Sequence, residues 1–236
     1  MTPLGILIED ENDTKHTYDD FGLRIRSIHI GTPQVKENLI EIPGADGYLD
    51  MTDYFGTRYE NRELTIECDM EDRGYYNWAG AVSQISNYLH GKKRKLILDW
   101  DNGYYYMGRG SCEFTKENRP YSRITLTFEC EPYKYELTAS DEDWLWDPFD
   151  FEEGVIRDYK DLQVNGRLEQ LVVGSPMPSV PKIIVSTDMT VAFESKQYTL
   201  KAGENYLPDI EIKEGEHTIT FIGSGTATIS YRGGSL

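Results

Sequence analysis

The residues able to do chemistry in this chain are mostly carboxylates, and their distribution argues against an active site. There are 41 Asp and Glu but only four histidines in 236 residues. No G-x-S-x-G elbow, phosphate-binding glycine loop or H-E-x-x-H run occurs. His29 falls within a strand pattern and His217 begins one, which makes both surface or packing residues, while His16 and His90 lack a partner at a useful spacing. Asp99, Asp101 and Asn102 offer oxygen ligands, but the remainder of a calcium loop is missing and a hairpin turn explains them better. Cys68, Cys112 and Cys130 cannot all pair within one chain. Cys68 and Cys130 continue the inward phase of alternating strands and read as buried, reduced thiols. Without C-x-x-C or H-x-x-x-H spacing, neither a metal nor any other cofactor is expected.

Two alternative chemistries stand beside this one. The run from Asp141 to Glu153 mixes seven acids with Trp144, Trp146, Phe149 and Phe151. Its rings could stack on a sugar, which would make the chain a cell-wall carbohydrate-binding adhesin, and a distant carboxylate pair could make it a glycan hydrolase. The plainer reading is an interdomain segment whose four aromatics pin two domains together.

Charge narrows the partners. With 24 Lys and Arg against 41 acids, the formal net charge is −17. Such a chain lacks the cations that displace counterions from nucleic acid, and it is repelled by anionic membrane surfaces. DNA can pass it without sticking. No apolar run reaches the roughly 20 residues of a bilayer span, and MTPLGILIEDENDTKH does not resemble a signal peptide. Synthesis in a reducing cytoplasm without membrane insertion is the expectation.

The elements that must position any site are strands. LRIRSIHI (23–30) changes phase near Arg26 and Ser27, which predicts a bulge. In RELTIEC, Leu64, Ile66 and Cys68 point one way; in YSRITLTFEC, Ile124, Leu126, Phe128 and Cys130 do so. KLILDWDNGYYYM reads as a hairpin turning at Asn102-Gly103. One amphipathic helix is predicted over Tyr75 to His90, with Trp78, Val82, Ile85 and Leu89 on one face and Gly91 as the C-terminal cap. The chain divides into three regions: 1–135, an acidic-aromatic and Pro-rich interdomain segment at 136–181 that belongs with the C-terminal domain, and a compact β-sandwich at 182–236. The fold class is mainly β.

Tyrosines and one polar-aromatic stretch remain. YLDMTDYFGTRY is too polar for a core strand and too aromatic for an idle loop. Tyrosine buries a large ring while keeping its tip hydrated, so it suits contacts between chains. Tyr48, Asp50, Tyr54, Phe55, Arg58 and Tyr59, with Tyr104 and Tyr106 from the triple tyrosine, are the subunit-interface candidates.

Taken in order, IPGADGYLDMTDYFG, YENRELTIECDM, the helix YYNWAGAVSQISNYLHGKKRKLILDWD, YYYMGRGSCEFTKENRPYSRITLTFECEPY and the C-terminal YTLKAGENYLPDIEIKEGEHTITFIGSGTATISYRGGSL resemble one family. The chain is similar to the distal tail proteins of long, non-contractile tails in phages and prophages of Gram-positive bacteria. The resemblance implies an N-terminal β-sandwich with one helix and an extended hairpin or belt arm, plus a galectin-like C-terminal β-sandwich. It also implies a hexameric ring at the virion tail tip, around the DNA channel, assembled in the host cytoplasm. The implied partners are other copies of the chain, the tail tube protein, the tail-tip or baseplate hub protein and a receptor-binding protein. The role so implied is structural, not enzymatic.

Overall fold

A computed structural model describes residues 3–10, 12–71, 74–117, 120–143 and 156–236. It divides into one unit of residues 1–101 and 105–132 and a second of residues 102–104 and 133–236. Among the described residues the fold is mainly β, as the alternating patterns predict.

In the first unit, β1 (Ile6–Glu9), β2 (Thr14–His16), β3 (Leu23–Ile30), β4 (Leu39–Glu41), β5 (Tyr48–Asp50) and a four-residue helix α1 (Thr52–Phe55) come first. β6 (Arg62–Glu71), α2 (Tyr75–Leu89), β7 (Lys93–Leu98), β8 (Asp101–Lys116) and β9 (Tyr121–Cys130) complete it. The main sheet runs β2-β1-β7-β8-β9-β6-β3, while β4 and β5 pair only with each other. Ile6 and Ile8 from one flank share a core with Leu23, Leu64, Ile66, Leu126 and Phe128 from the other. The sheet therefore folds back over itself. The seam is joined where Thr17 N–H donates to Ile6 O (3.0 Å) and Leu23 N–H to Thr17 O (2.9 Å).

The predicted bulge lies between Ile25 and Ser27. It returns Ile28 and Ile30 to the side occupied by Ile66 and Leu64. Helix α2 ends at Leu89 and is capped by His90, whose N–H donates to Ser86 O (2.9 Å), so Gly91, expected as the cap, lies one residue beyond it at φ 73°. Ile85, Tyr88 and Leu89 are buried, and Trp78 packs against the core. The helix end approaches the sheet so closely that a Cβ on Gly110 would lie 3.0 Å from Leu89 O and 2.9 Å from the Phe128 ring. Gly91 N–H then donates to Gly110 O at 2.7 Å.

The expected turn at Asn102-Gly103 is not where the chain reverses. β7 ends at Leu98 and pairs with Asp101, so the reversal is at Asp99-Trp100. Asp99 holds this corner, its Oδ2 accepting from Gly5 N–H at 2.6 Å and lying 3.2 Å from His16 Nε2. Gly103 is inside β8 but belongs to the second unit, where its carbonyl accepts from Leu137 N–H (2.8 Å).

The second unit contains β10 (Lys134–Glu136), β11 (Leu162–Gly174), β12 (Lys182–Val185), β13 (Met189–Phe193), β14 (Lys196–Leu200), β15 (Gly203–Tyr206), β16 (Gly215–Ser230) and β17 (Gly234–Ser235). Its larger sheet is ordered β14-β13-β16-β12-β15, and β11 pairs with β16. Here the fold differs from the sequence expectation in two places. HTITFIG and TATISY are not separate strands but parts of one 16-residue strand that runs through Gly223 and Gly225, both at positive φ. Within residues 136–181, expected as an interdomain segment belonging with the C-terminal domain, the second unit has the strand β11, which pairs with β16 from Leu162 to Gly174. Its weak alternation hides it, since its Leu168 and Leu171 are not buried. Tyr159 and Tyr231 stack at 6.1 Å in the core beneath. Burial pushes the Tyr231 phenol up, although Arg157 opposes the shift.

Candidate assembly surface

Between β3 and β6 the chain leaves the main sheet and returns to it, forming a two-stranded arm. At the root, Gly31 N–H donates to Glu63 O (2.8 Å). Rungs run outward from Glu60 N–H to Gln34 O (2.7 Å) and from Lys36 N–H to Arg58 O (2.8 Å). Val35 and Tyr59 form the bridge between them. Farther out, Met51 N–H donates to Asn38 O (2.9 Å), and the β4–β5 hairpin begins. Its turn uses Gly44 at φ 84° and Gly47 at φ 76°, a backbone region disfavoured for side chains bearing a Cβ.

The helix α1 is fastened to this arm by a small polar knot. Asp50 Oδ1 accepts from Thr52 N–H at 2.8 Å, while Thr52 Oγ1 accepts from Asn38 N–H at 2.9 Å. Hydrogen bonds from the Thr52 side chain and then its backbone hold the Asp50 carboxyl below its usual pKa. Asp50 thus serves the arm's own shape.

Register sorts the hairpin's side chains. Ile40 faces Leu49, Leu39 faces Asp50, and Glu41 faces Tyr48. Ile40, Ile42 and Leu49 therefore share one face, with Leu39, Glu41, Tyr48 and Asp50 on the other. None of them is covered: Ile40 is 48% exposed, Leu49 45% and Tyr48 68%. A full burial of such an aliphatic side chain is worth about 1.5–3 kcal/mol, so roughly half of that gain is left unrealised at each. A two-stranded hairpin is marginal in water without another surface on it. Residues 37–50 also hold four acids and neither Lys nor Arg.

Of the interface candidates, the arm brings together Tyr48, Asp50, Tyr54, Arg58 and Tyr59. Tyr54 is 79% exposed, Arg58 is exposed and Tyr59 is half-buried at the root. Phe55 ends α1, but its side chain lies outside the described residues. Tyr104 and Tyr106 are elsewhere. The half-buried Tyr104 has Lys134 Nζ 4.2 Å from its ring centroid within the second unit. Tyr106 is 4% exposed, packed in the first core with Arg62 over its ring at 5.7 Å. It is a core residue, because the β8 alternation turns it inward beside Gly108 and Gly110. Trp144, Trp146, Phe149 and Phe151 lie outside the described residues. The aliphatics Leu39, Ile40, Ile42 and Leu49 escape a reading that weights the aromatics, although the alternation in NLIEIPGADGYLD around a glycine turn carries their signal.

Other polar groupings serve the fold. His16 lies 3.2 Å from both Asp19 and Asp99, partners that sequence spacing did not suggest, and it straps the N-terminal strand to the corner at Asp99. Arg94 is buried against the Tyr88 ring at 4.6 Å and pairs with Asp10. Burial pushes the thiols of Cys68 and Cys130 up to about 12 and that of Cys112 to about 11, so all three stay protonated near neutrality. Among the described residues no group of three or more His, Cys, Asp or Glu is placed to hold a metal, and no helix is long and apolar enough to cross a membrane. In the second unit a depression of about 450 Å³ is lined by Arg167, Glu194, Gln197 and His217. Phe193 in its lining is buried and tilted against His217, with ring centroids 5.9 Å apart.

Comparison with known proteins agrees with this architecture. The crystal structure of SPP1 Dit, described as a paradigm of the hub adsorption apparatus in phages infecting Gram-positive bacteria, superposes with a TM-score of 0.61 at 12% identity. The match covers 98% of this chain and 99% of that one, so the two share a fold from end to end. None of the curated proteins matches this sequence. The family model of the phage tail protein RIFT-related domain matches residues 12–130, half of the chain and nearly all of the first unit. With the arm and its supporting sheet inside that span, the chain belongs to the phage tail protein RIFT-related domain family and so to the structural proteins of phage tails.

Proposed function

We propose that the chain is the distal tail hub of a long, non-contractile phage tail. Six copies form a ring around the DNA channel, joining the tail tube to the tail tip or baseplate. The observation that carries this reading is the arm, whose Ile40, Ile42 and Leu49 stay uncovered on a hairpin held out from its own sheet. A ring of heterologous contacts needs a protruding surface that the next copy can cover, and the arm is one. The net charge of −17 suits a conduit that polyanionic DNA must traverse without arrest. In this role the ring sits at the virion tail tip after assembly in the host cytoplasm, and it meets the tail tube protein, the tail-tip hub and a receptor-binding protein. The function is mechanical and non-enzymatic. Similarity to the SPP1 hub over nearly the full chain supports the assignment.

Light scattering with negative-stain imaging of the purified chain tests it. A hexamer of 27.2 kDa chains has a mass of about 163 kDa and appears as a ring with a central hole. A filament, or a compact dimer without a hole, would overturn the ring.

A further inference from the structure

We propose that the depression on the outer face of the second unit's larger sheet is a docking site for a basic side chain, an arginine, carried by another protein of the tail. The identity of the partner rests on the tail reading above, whereas the site itself rests on the second unit alone.

Register builds the depression. Ile219 and Phe221 are fully buried, so Thr220 between them points to the opposite face of β16. On that face it lies between Ala192 of β13 and Glu169 of β11, with Gln197 of β14 next beyond Ala192. The short side chains of Ala192 and Thr220 make a low floor between longer neighbours, which leaves the space of about 450 Å³. Thr220 is only 9% exposed, and its hydroxyl has no hydrogen-bond partner among the described residues. A hydroxyl so sheltered is costly to leave unpaired, so the floor of the depression holds an acceptor in want of a donor.

Charge identifies the donor. Arg167 on the wall is already held by Glu169, its Nη2 2.7 Å from the carboxylate. Glu194 and Glu216 also line the depression, and neither has an ion-pair partner among the described residues. Glu194 opens the two-residue turn between Phe193 and Lys196 at φ 52°, a conformation that residues other than glycine, asparagine and aspartate seldom adopt. Ile222, 37% exposed, adds an apolar wall beside Ala192. Two free carboxylates, a hydroxyl and the Gln197 amide suit a head rich in N–H donors, while Ala192 and Ile222 suit an aliphatic stem. Arginine joins the two, a methylene stem ending in a planar fork of five donors. Phosphate and carboxylate groups are repelled by the same two glutamates. The net charge of −17 draws a basic partner towards the chain as a whole.

The test titrates the full-length chain, labelled at its alanine and isoleucine methyl groups, with the peptide acetyl-Gly-Arg-Gly-amide and follows the methyl signals by NMR. Those of Ala192 and Ile222 should shift and saturate with a Kd of about 1 mM. The uncharged acetyl-Gly-Gln-Gly-amide should leave them in place. Thr220→Val keeps the side chain's shape but removes its hydroxyl, and should weaken binding about fivefold, while Thr220→Ser retains it. Glu194→Gln with Glu216→Gln should weaken it by about fivefold as well. Thermal midpoints equal to that of the unsubstituted chain show that the variants are folded. No saturable shift, an equal response to the glutamine peptide, or a response to a neutral trisaccharide alone would overturn the site. The methyl signals report on the second unit in a monomer or a ring alike. Failure here therefore leaves the ring reading standing, and failure of the ring removes the tail as the source of the partner without touching the site.

Discussion

Strand β6 and the β4–β5 hairpin carry the same kind of alternating sequence, yet they end in opposite environments. In β6, Leu64, Ile66 and Cys68 are fully buried between neighbouring strands and the rest of the core. In the hairpin, Ile40, Ile42 and Leu49 alternate as regularly and remain nearly half exposed. Alternation therefore states that a face will be covered, but not by which chain. The polar knot of Asp50, Thr52 and Asn38 shows that the arm has a defined shape, so its exposure is not that of a loose loop.

The largest effect should come from the β6 side of this contrast. Phe128→Ala removes a fully buried ring next to Gly110 and the end of α2, and should cost about 3–5 kcal/mol in chemical denaturation of the first unit. Ile40→Asp with Leu49→Asp should cost clearly less, about 1–2 kcal/mol, because each side chain is already about half in water. An equal loss from the two substitutions would erase the distinction between body and arm.

A middle-sized effect is expected at the knot. Thr52→Ala removes the acceptor for Asn38 N–H and a donor to Asp50, at a cost of about 1 kcal/mol, read as faster amide exchange confined to residues 36–58. The same knot should respond to acid. Because the folded Asp50 carboxyl titrates below its ordinary value of 3.8, its contribution is complete above that value and is lost as pH falls through the lowered one. Hydrogen exchange in the arm should then quicken below about pH 4 while β6 stays protected. Asp50→Asn should abolish that acid dependence.

Sequence legibility divides along the same line. Strands β6 and β9, the bulge after Ile25 and the helix from Tyr75 are readable because local alternation and periodicity agree with the final packing. The Asn102-Gly103 turn is misplaced by local reading because Asp99 is held by Gly5 and His16, 94 and 83 residues upstream, contacts that no local pattern contains. Likewise β11 owes its place to β16, some fifty residues later. For the candidate site, the stretch is identifiable by its aromatics. Its apolar face is not, since that face exists only once Ile40 is set against Leu49.

A smaller effect concerns the thiols. Cys68 and Cys130 are raised to about 12, so at pH 8 they should react with a thiol reagent only on unfolding, whereas the half-buried Cys112 should react slowly in the native chain. Their contribution to stability is complete below the unfolded value near 9 and declines as pH rises from there toward 12.

The most direct measurement is the solution mass of the unsubstituted chain beside that of the Ile40→Asp, Leu49→Asp variant at the same concentration. An arm that exists to be covered by the next copy predicts about 163 kDa for the first and a folded 27.2 kDa monomer for the second. Equal masses for the two would contradict it, because the hairpin's apolar face would then have no part in assembly.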